Sequence, residues 1–214
     1  MKAWLSSDVT ISKDGLYSKY LDKVIDHPER NEMYKAAVEG ICEGGGDVLQ
    51  IGFGMGNVAY HIRNQEINSH LIIEEHQQIV DFAVEHGFGS SIKQTSWRLA
   101  CRNLIKQGIK FDAIYFQELT SGIYLENEIV AFQNFLNELL KPGGRYSFNG
   151  FMDNGIEIIN RWKLDELGMI PHVKKISIGY AAQEVGYNTL NFKEESYEDL
   201  HYVNWFTKPE KIIN

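Results

Sequence analysis

The chain has 214 residues and a hydrophobic fraction of 43%, enough for one domain with a sizeable core, and a single domain over 1–214 is the expectation. A net charge of −8, a pI near 5.4 and scattered rather than clustered Lys and Arg exclude a nucleic-acid partner from the expected functions. No apolar run approaches the roughly 18 residues of a membrane span, and Met1-Lys2-Ala3-Trp4-Leu5-Ser6 has no apolar leader, so no membrane association and a cytoplasmic location are expected.

In chain order, the apolar positions Leu16, Tyr17, Tyr20, Leu21, Val24 and Ile25 recur at helical spacing and predict a helix over Ser12 to Ile25, with Pro28 as its stop. A second helix is predicted from Asn31 through Tyr34, Ala37, Val38 and Ile41, ending at Gly44-Gly45-Gly46. Residues 1–46 therefore read as a helical N-terminal lid, and 47–214 as the core. From Asp47 strands and helices alternate: strand to Ile51, helix Asn57 to Arg63, strand His70 to Glu74, helix Glu75 to His86, strand Ser91 to Thr95, helix Trp97 to Gln107, strand Phe111 to Gln117, helix Glu126 to Leu140, strand Arg145 to Asn149. That alternation predicts a doubly wound α/β fold with a mostly parallel sheet. A helix near Ile156 to Leu167 and two strand-like runs, Lys174 to Ala182 and His201 to Thr207, follow, and the two runs predict an antiparallel pair added to the sheet.

Cys42 and Cys101 lack ligand or disulfide spacing, so buried thiols and no metal are expected. The informative stretch is Val48-Leu49-Gln50-Ile51-Gly52-Phe53-Gly54-Met55-Gly56-Asn57, a strand that breaks into a glycine loop, with Glu74 and Glu75 closing the next apolar run. A glycine loop lets a nucleoside ligand touch bare backbone, and a carboxylate ending the next strand can accept from ribose hydroxyls. A tight turn explains glycines as well. The spacing departs from the dinucleotide pattern G-x-G-x-x-G because Asn57 stands where the third small residue belongs, which disfavours a nicotinamide cofactor.

These residues resemble class I S-adenosylmethionine-dependent methyltransferases, and within them the guanidinoacetate and arginine N-methyltransferase group. The run Val48 to Gly56 is similar to that group's V-L-E-[IV]-G-F-G-M, and Leu71-Ile72-Ile73-Glu74, Ser96-Trp97, Phe111-Asp112-Ala113-Ile114-Tyr115 and Leu139-Leu140-Lys141-Pro142-Gly143-Gly144 extend the likeness. The resemblance implies a seven-stranded Rossmann-like fold and S-adenosylmethionine as cofactor, held by Gly52, Phe53, Gly54, Met55, Asn57, Glu74, Glu75, Ser96, Trp97 and Gln117. Trp97 would lie beside the adenine, although core filling explains a lone Trp equally. Glu75 reads alternatively as the start of the next helix.

On the acceptor side the group has an aspartate at the end of the fourth strand, where this sequence has Gln117. A neutral amide offers no full charge to a guanidinium. Either the loop turns Glu118 inward or the acceptor is not a guanidine. Glu32-Met33-Tyr34 resembles a shortened form of the group's E-x-P-Y-M motif, which makes Glu32 a candidate acceptor ligand and Tyr34 part of an aromatic cover; an exposed acid and helix-face packing are the plain alternatives. Gln117, Glu118, Glu32 and Tyr34 are thus the candidate catalytic residues. The implied activity is methylation of a small molecule or peptide side chain, at a guanidino or amino nitrogen, with a homodimer compatible with the sequence. A cofactor-binding partner subunit without turnover and a nicotinamide oxidoreductase are the alternatives.

Overall fold

The computed structural model describes residues 5–26, 28–117, 123–148, 164, 166–177 and 200–210. At its centre lies strand β4 (Asp47–Ile51), buried at every position except Asp47. Burial on both faces follows from helices covering each side, which is why the strand reads as a nearly unbroken apolar run. Leu49 and Ile51 pack into a cluster with Trp97, Cys101, Leu104, Phe132, Leu136 and Phe206. Val48, one position along and therefore on the opposite face, packs with Ile41, Val58, Ile62, Ala113, Tyr115 and Val203.

Parallel neighbours of β4 are β5 (Ser69–Glu74) and β7 (Phe111–Phe116). Next to β5 runs β6 (Ile92–Gln94), and next to β7 runs β8 (Leu140–Phe148), both parallel. Strands β9 (Ile170–Ser177) and β10 (Leu200–Thr207) form the expected antiparallel pair, with β10 inserted between β8 and β9. The sheet order is β6-β5-β4-β7-β8-β10-β9. The chain leaves β4 first toward β5 and later toward β7, so the strand order reverses between β4 and β7, where open α/β sheets form ligand crevices at their carboxyl ends.

The helices are α1 (Asn31–Cys42), α2 (Asn57–Arg63), α3 (Gln77–Ala83), α4 (Trp97–Lys106) and α5 (Ile123–Leu139), as the sequence predicts to within a few residues. Gly87 takes φ +80° in the turn that ends the segment after α3. Helix α1 lies so close to β10 that a Cβ on Gly40 would fall 2.5 Å from the Trp205 ring, so only glycine fits beneath that indole. Most of the predicted helix Ile156 to Leu167, the end of the predicted strand Lys174 to Ala182 beyond Ser177, Glu118 and Asn149 lie outside the described residues.

The predicted helix over Ser12 to Ile25 is corrected. This segment forms an antiparallel sheet of β1 (Val9–Ser12), β2 (Gly15–Ser18) and β3 (Lys23–Asp26), ordered β1-β2-β3. Ser12 pairs with Gly15, leaving Lys13-Asp14 as a two-residue hairpin loop. Gly15, at φ +137° directly after the loop, and the β-branched Val9, Ile11, Val24 and Ile25 favour that hairpin, and they outweigh a coincidental helical spacing. Leu16 and Ile25 pack with Phe53, Ala59, Ile72, Ile79 and Phe88, which lays the small sheet over the glycine loop of β4. Among the described residues, the segment from Val9 to Asp26 is thus built of strands, and a 3-10 turn at Pro28–Arg30 leads into α1.

Beneath it, the fully buried Gln50 donates through Nε2 to the Gly52 carbonyl (2.7 Å), so its oxygen is left to accept from His70 Nε2 (3.1 Å). Burial, aided by the nearby Arg63 charge, pulls the His70 imidazole down to about 4. The folded state then holds fewer protons than the unfolded chain between about pH 6.5 and 4, so stability is lost as pH falls through that window. His70→Gln is expected to recover about 2 to 3 kcal/mol of that acid-linked loss in urea unfolding between pH 7 and pH 4; an unchanged pH profile contradicts this role.

Candidate functional site

The site is built from four segments that meet at the carboxyl ends of β4, β5 and β7: the Gly52–Gly56 loop, Glu74 to His76, Gln117, and Asp26 at the end of β3. Loop glycines Gly52, Gly54 and Gly56 adopt φ of +81°, +59° and +87°, a region that side-chain-bearing residues enter at a cost. Space is as restrictive as conformation. A Cβ on Gly52 would lie 1.9 Å from the Gln117 carbonyl oxygen, and one on Gly54 would lie 2.3 Å from Asp26 Oδ2. Gly52 N donates to Ile73 O (2.8 Å) and Gln117 N to Ile51 O (2.7 Å), so the parallel ladder continues into the site on both sides of β4.

Glu74 is buried, with Oε2 accepting from Phe53 N (2.9 Å) and Oε1 accepting from Glu75 N (2.7 Å) and His76 N (2.8 Å). Burial raises its carboxyl above the ordinary range, opposed by the three amides. A carboxylate has about four acceptor positions. Three are taken by backbone here, leaving one for a ligand, so Glu74 cannot receive both ribose hydroxyls while it keeps all three amides. Glu75 is half-buried immediately beside it, ahead of α3, whose first residue is Gln77. Burial, then the Glu74 charge, raises the Glu75 carboxyl as well.

Phe53 and Met55 sit in the loop, with Phe53 fully buried against Phe88 at 5.2 Å between ring centroids. Asn57 opens α2, and its Nδ2 is a buried donor with no hydrogen-bond partner among the described residues. Ser96 stands just ahead of α4, with no side-chain capping bond. Trp97 is 5% exposed, and its rings meet Phe116, Phe132 and Phe135 edge-on at 5.6 to 5.8 Å. Its Nε1 donates to Glu128 (3.1 Å), which also pairs with Arg98 at 2.7 Å. Those contacts are those of a core residue.

On the other side of the loop, Gln117 is 1% exposed, and its Nε2 donates to Asp26 Oδ2 (3.2 Å). That same oxygen accepts from Met55 N (3.0 Å), while Oδ1 accepts from the Tyr34 hydroxyl (2.7 Å). Tyr34 is fully buried, and burial together with the Asp26 charge raises its phenol well above its ordinary value, so it remains a protonated donor. It positions Asp26 rather than covering the site as an exposed aromatic. Glu32 stands exposed on the first turn of α1, on the side of His61. Sequence reasoning missed Asp26, because a helical reading of its segment hid a β-strand that ends on the loop.

With this geometry in hand, comparisons with known proteins give the class. The family model described as guanidinoacetate N-methyltransferase matches residues 2–162. The chain belongs to that family. Protein arginine N-methyltransferase 2 of Aspergillus oryzae is 31% identical over 153 residues, 68% of this chain and 36% of the relative, and its namesake in Emericella nidulans is 30% identical over 68% and 34%. The chain therefore spans about a third of the length of these relatives. Two solved structures share the fold: the N-methyltransferase NodS from Bradyrhizobium japonicum (TM-score 0.53, 17% identity, 87% of this chain and 100% of that one) and the O-methyltransferase from Bacillus cereus in complex with SAH (0.53, 11%, 85% and 81%). The family match gives the class of the chain, and the two solved structures add the fold alone.

The residues present fit S-adenosylmethionine: three glycines at positive φ shape the loop, Glu74 and Glu75 stand beside it, and buried polar atoms of Asn57 and Gln117 have no hydrogen-bond partner among the described residues. Because a Gln side-chain amide nitrogen cannot accept, Glu74→Gln orphans at least one of the three buried amides. It is expected to cost about 1 to 3 kcal/mol in denaturant unfolding; a variant as stable as the parent contradicts the tie between β5 and the glycine loop.

Proposed function

We propose that this methyltransferase acts on nitrogen, transferring the methyl group of S-adenosylmethionine to a guanidino or amino group of a small molecule or peptide side chain. The observation that carries the reading is the pairing of Gln117 with Asp26 against the glycine loop, which puts a buried carboxylate one hydrogen bond from the strand end where the family's acceptor is bound. The arginine methyltransferases named above support an acceptor of this class.

In this proposal Gly52, Phe53, Gly54, Met55 and Asn57 hold the cofactor against backbone, Glu74 and Glu75 divide the ribose hydroxyls, and Ser96 with Trp97 forms the adenine side. A sulfonium is an activated methyl donor, so the protein is asked to align and desolvate rather than to form a covalent intermediate. Alignment falls to Gln117, whose backbone is pinned to Ile51 and whose side chain is pinned to Asp26. Tyr34 keeps Asp26 in place. A protonated nitrogen must lose a proton before it attacks, and the acids to serve it are Asp26, which is hydrogen-bonded to Gln117, and Glu118, which follows Gln117 in the sequence; Glu32 would act only in binding a larger acceptor from the rim.

The partner-subunit reading, without turnover, is retained because Gln117 replaces the family's acid. Two measurements separate them. Calorimetry should show S-adenosylhomocysteine binding and no binding of NAD, and labelled methyl groups should pass from S-adenosylmethionine to guanidinoacetate or to an arginine-containing peptide. Absence of S-adenosylhomocysteine binding contradicts the cofactor site. Binding with no transfer to any nitrogen acceptor favours the partner subunit.

A further inference from the structure

The two acids beside the glycine loop differ in what occupies them. Glu74 accepts three backbone amides, whereas Glu75 gives its own amide to Glu74 and carries its carboxylate half-buried at the turn toward α3. Thr95 N donates to Glu74 O (3.0 Å), which extends the β5–β6 ladder to its end and brings Glu75 close to Ser96 and the first turn of α4. A cation stands on that turn. Arg98 lies over the Trp97 ring at 4.2 Å from its centroid, and its charge lowers the Glu75 carboxyl while that of Glu128 raises it, so both reach Glu75. A guanidinium beside a carboxylate forms a strong charge-assisted pair with it. Arg98 pairs with Glu128 instead, at 2.7 Å.

Trp97 gathers both members of this pair. Its ring face receives the guanidinium, and its Nε1 donates to Glu128 Oε2 (3.1 Å), which turns Oε1 to Arg98 Nη2. The Glu128 side chain is 16% exposed, so water screens its hold on Arg98 less than at an open surface. Glu128 belongs to α5, so the helix that follows the Gln117 strand end sets where a cation on the cofactor side rests. An Arg98–Glu75 pair would have to be broken by a ligand, because a carboxylate that faces a guanidinium has fewer positions left for hydroxyls. We propose that Glu128 is a positioning residue for cofactor binding: by holding Arg98 over Trp97 it keeps the guanidinium off Glu75, whose carboxylate stays open to a ribose hydroxyl. This rests on the assignment of the ribose to Glu74 and Glu75, and it requires no contact between the ligand and either Arg98 or Glu128.

The test is a double-mutant cycle on the full chain, read by calorimetry with S-adenosylhomocysteine and, without ligand, by carbon-13 NMR titration of the Glu75 carboxyl. Glu128→Gln keeps an oxygen for Trp97 Nε1 and removes the charge that holds Arg98. It is expected to weaken S-adenosylhomocysteine binding about tenfold or more in the parent, and less than about threefold in the Arg98→Met background, where no guanidinium can move onto Glu75. An equal loss in both backgrounds overturns the proposal, because Glu128 then acts through packing or direct contact. A loss of about tenfold from Arg98→Met alone also overturns it, since Arg98 would then be a ligand contact. In the titration, Glu128→Gln removes a negative neighbour in either background, so the Glu75 midpoint falls in both. With Arg98 present the new pair deepens that fall to about one pH unit or more; an equal fall in both backgrounds overturns the proposal. A deepened fall with unchanged affinity overturns it as well, together with the ribose role of Glu75. If S-adenosylhomocysteine fails to bind the parent, the cofactor reading falls by itself, and the titration alone decides whether Glu128 holds Arg98 off Glu75.

Discussion

The site depends on one buried carboxylate. Glu74 ends β5 and accepts three backbone amides, one from the glycine loop of β4 and two from the chain entering α3. Amides at a sharp turn have no ladder partner, and each left bare in the interior costs about 1 to 3 kcal/mol. A single anion removes three such costs together, against the desolvation that pushes its own carboxyl upward. The loop is thus held in its left-handed conformation before any ligand arrives, and binding has less ordering to offset.

A second carboxylate repeats the device from the opposite side. Asp26 reaches the loop from β3 and ties Met55, Tyr34 and Gln117 into one buried network. Its position depends on the small N-terminal sheet, which packs Leu16 and Ile25 onto Phe53, Ile72 and Phe88. The sheet is fastened by polar contacts too: the Ser7 carbonyl accepts from His76 Nε2 (3.0 Å), and Val9 N donates to Gln78 (2.9 Å). The Asp26–Gln117 contact therefore depends on the N-terminal segment, and a chain that lost β1 to β3 would lose the charge beside Gln117.

Much of this was legible in the sequence because the relevant signals are local. The apolar run Val48 to Ile51, the glycines after it and the acids after Leu71-Ile72-Ile73 are contiguous, and each maps onto one strand end. The alternation of strands and helices is equally local, and so is the antiparallel pair β9 and β10. Two kinds of information were not. For Leu16 to Ile25, six apolar positions fit a helical period by chance, and the contrary signal rested on the turn at Gly15 and a few scattered β-branched residues. Asp26 offered no motif at all, because its role comes from a contact with Gln117, 91 positions away. Trp97 is a further case: its contacts with Glu128 and the Phe116 and Phe132 rings come from distant segments and carry no local signal in the sequence.

A cofactor seated on the Gly52–Gly56 loop would lie between the Glu74–Glu75 pair and Gln117. The most direct measurement is a crystal structure of the chain with S-adenosylhomocysteine. The account predicts the ribose hydroxyls shared between Glu74 and Glu75, with the Phe53 amide still on Glu74, and the amino-acid end directed toward Gln117. A nucleoside bound elsewhere on the sheet, or a glycine loop rebuilt with the Glu74 contacts broken, would contradict it.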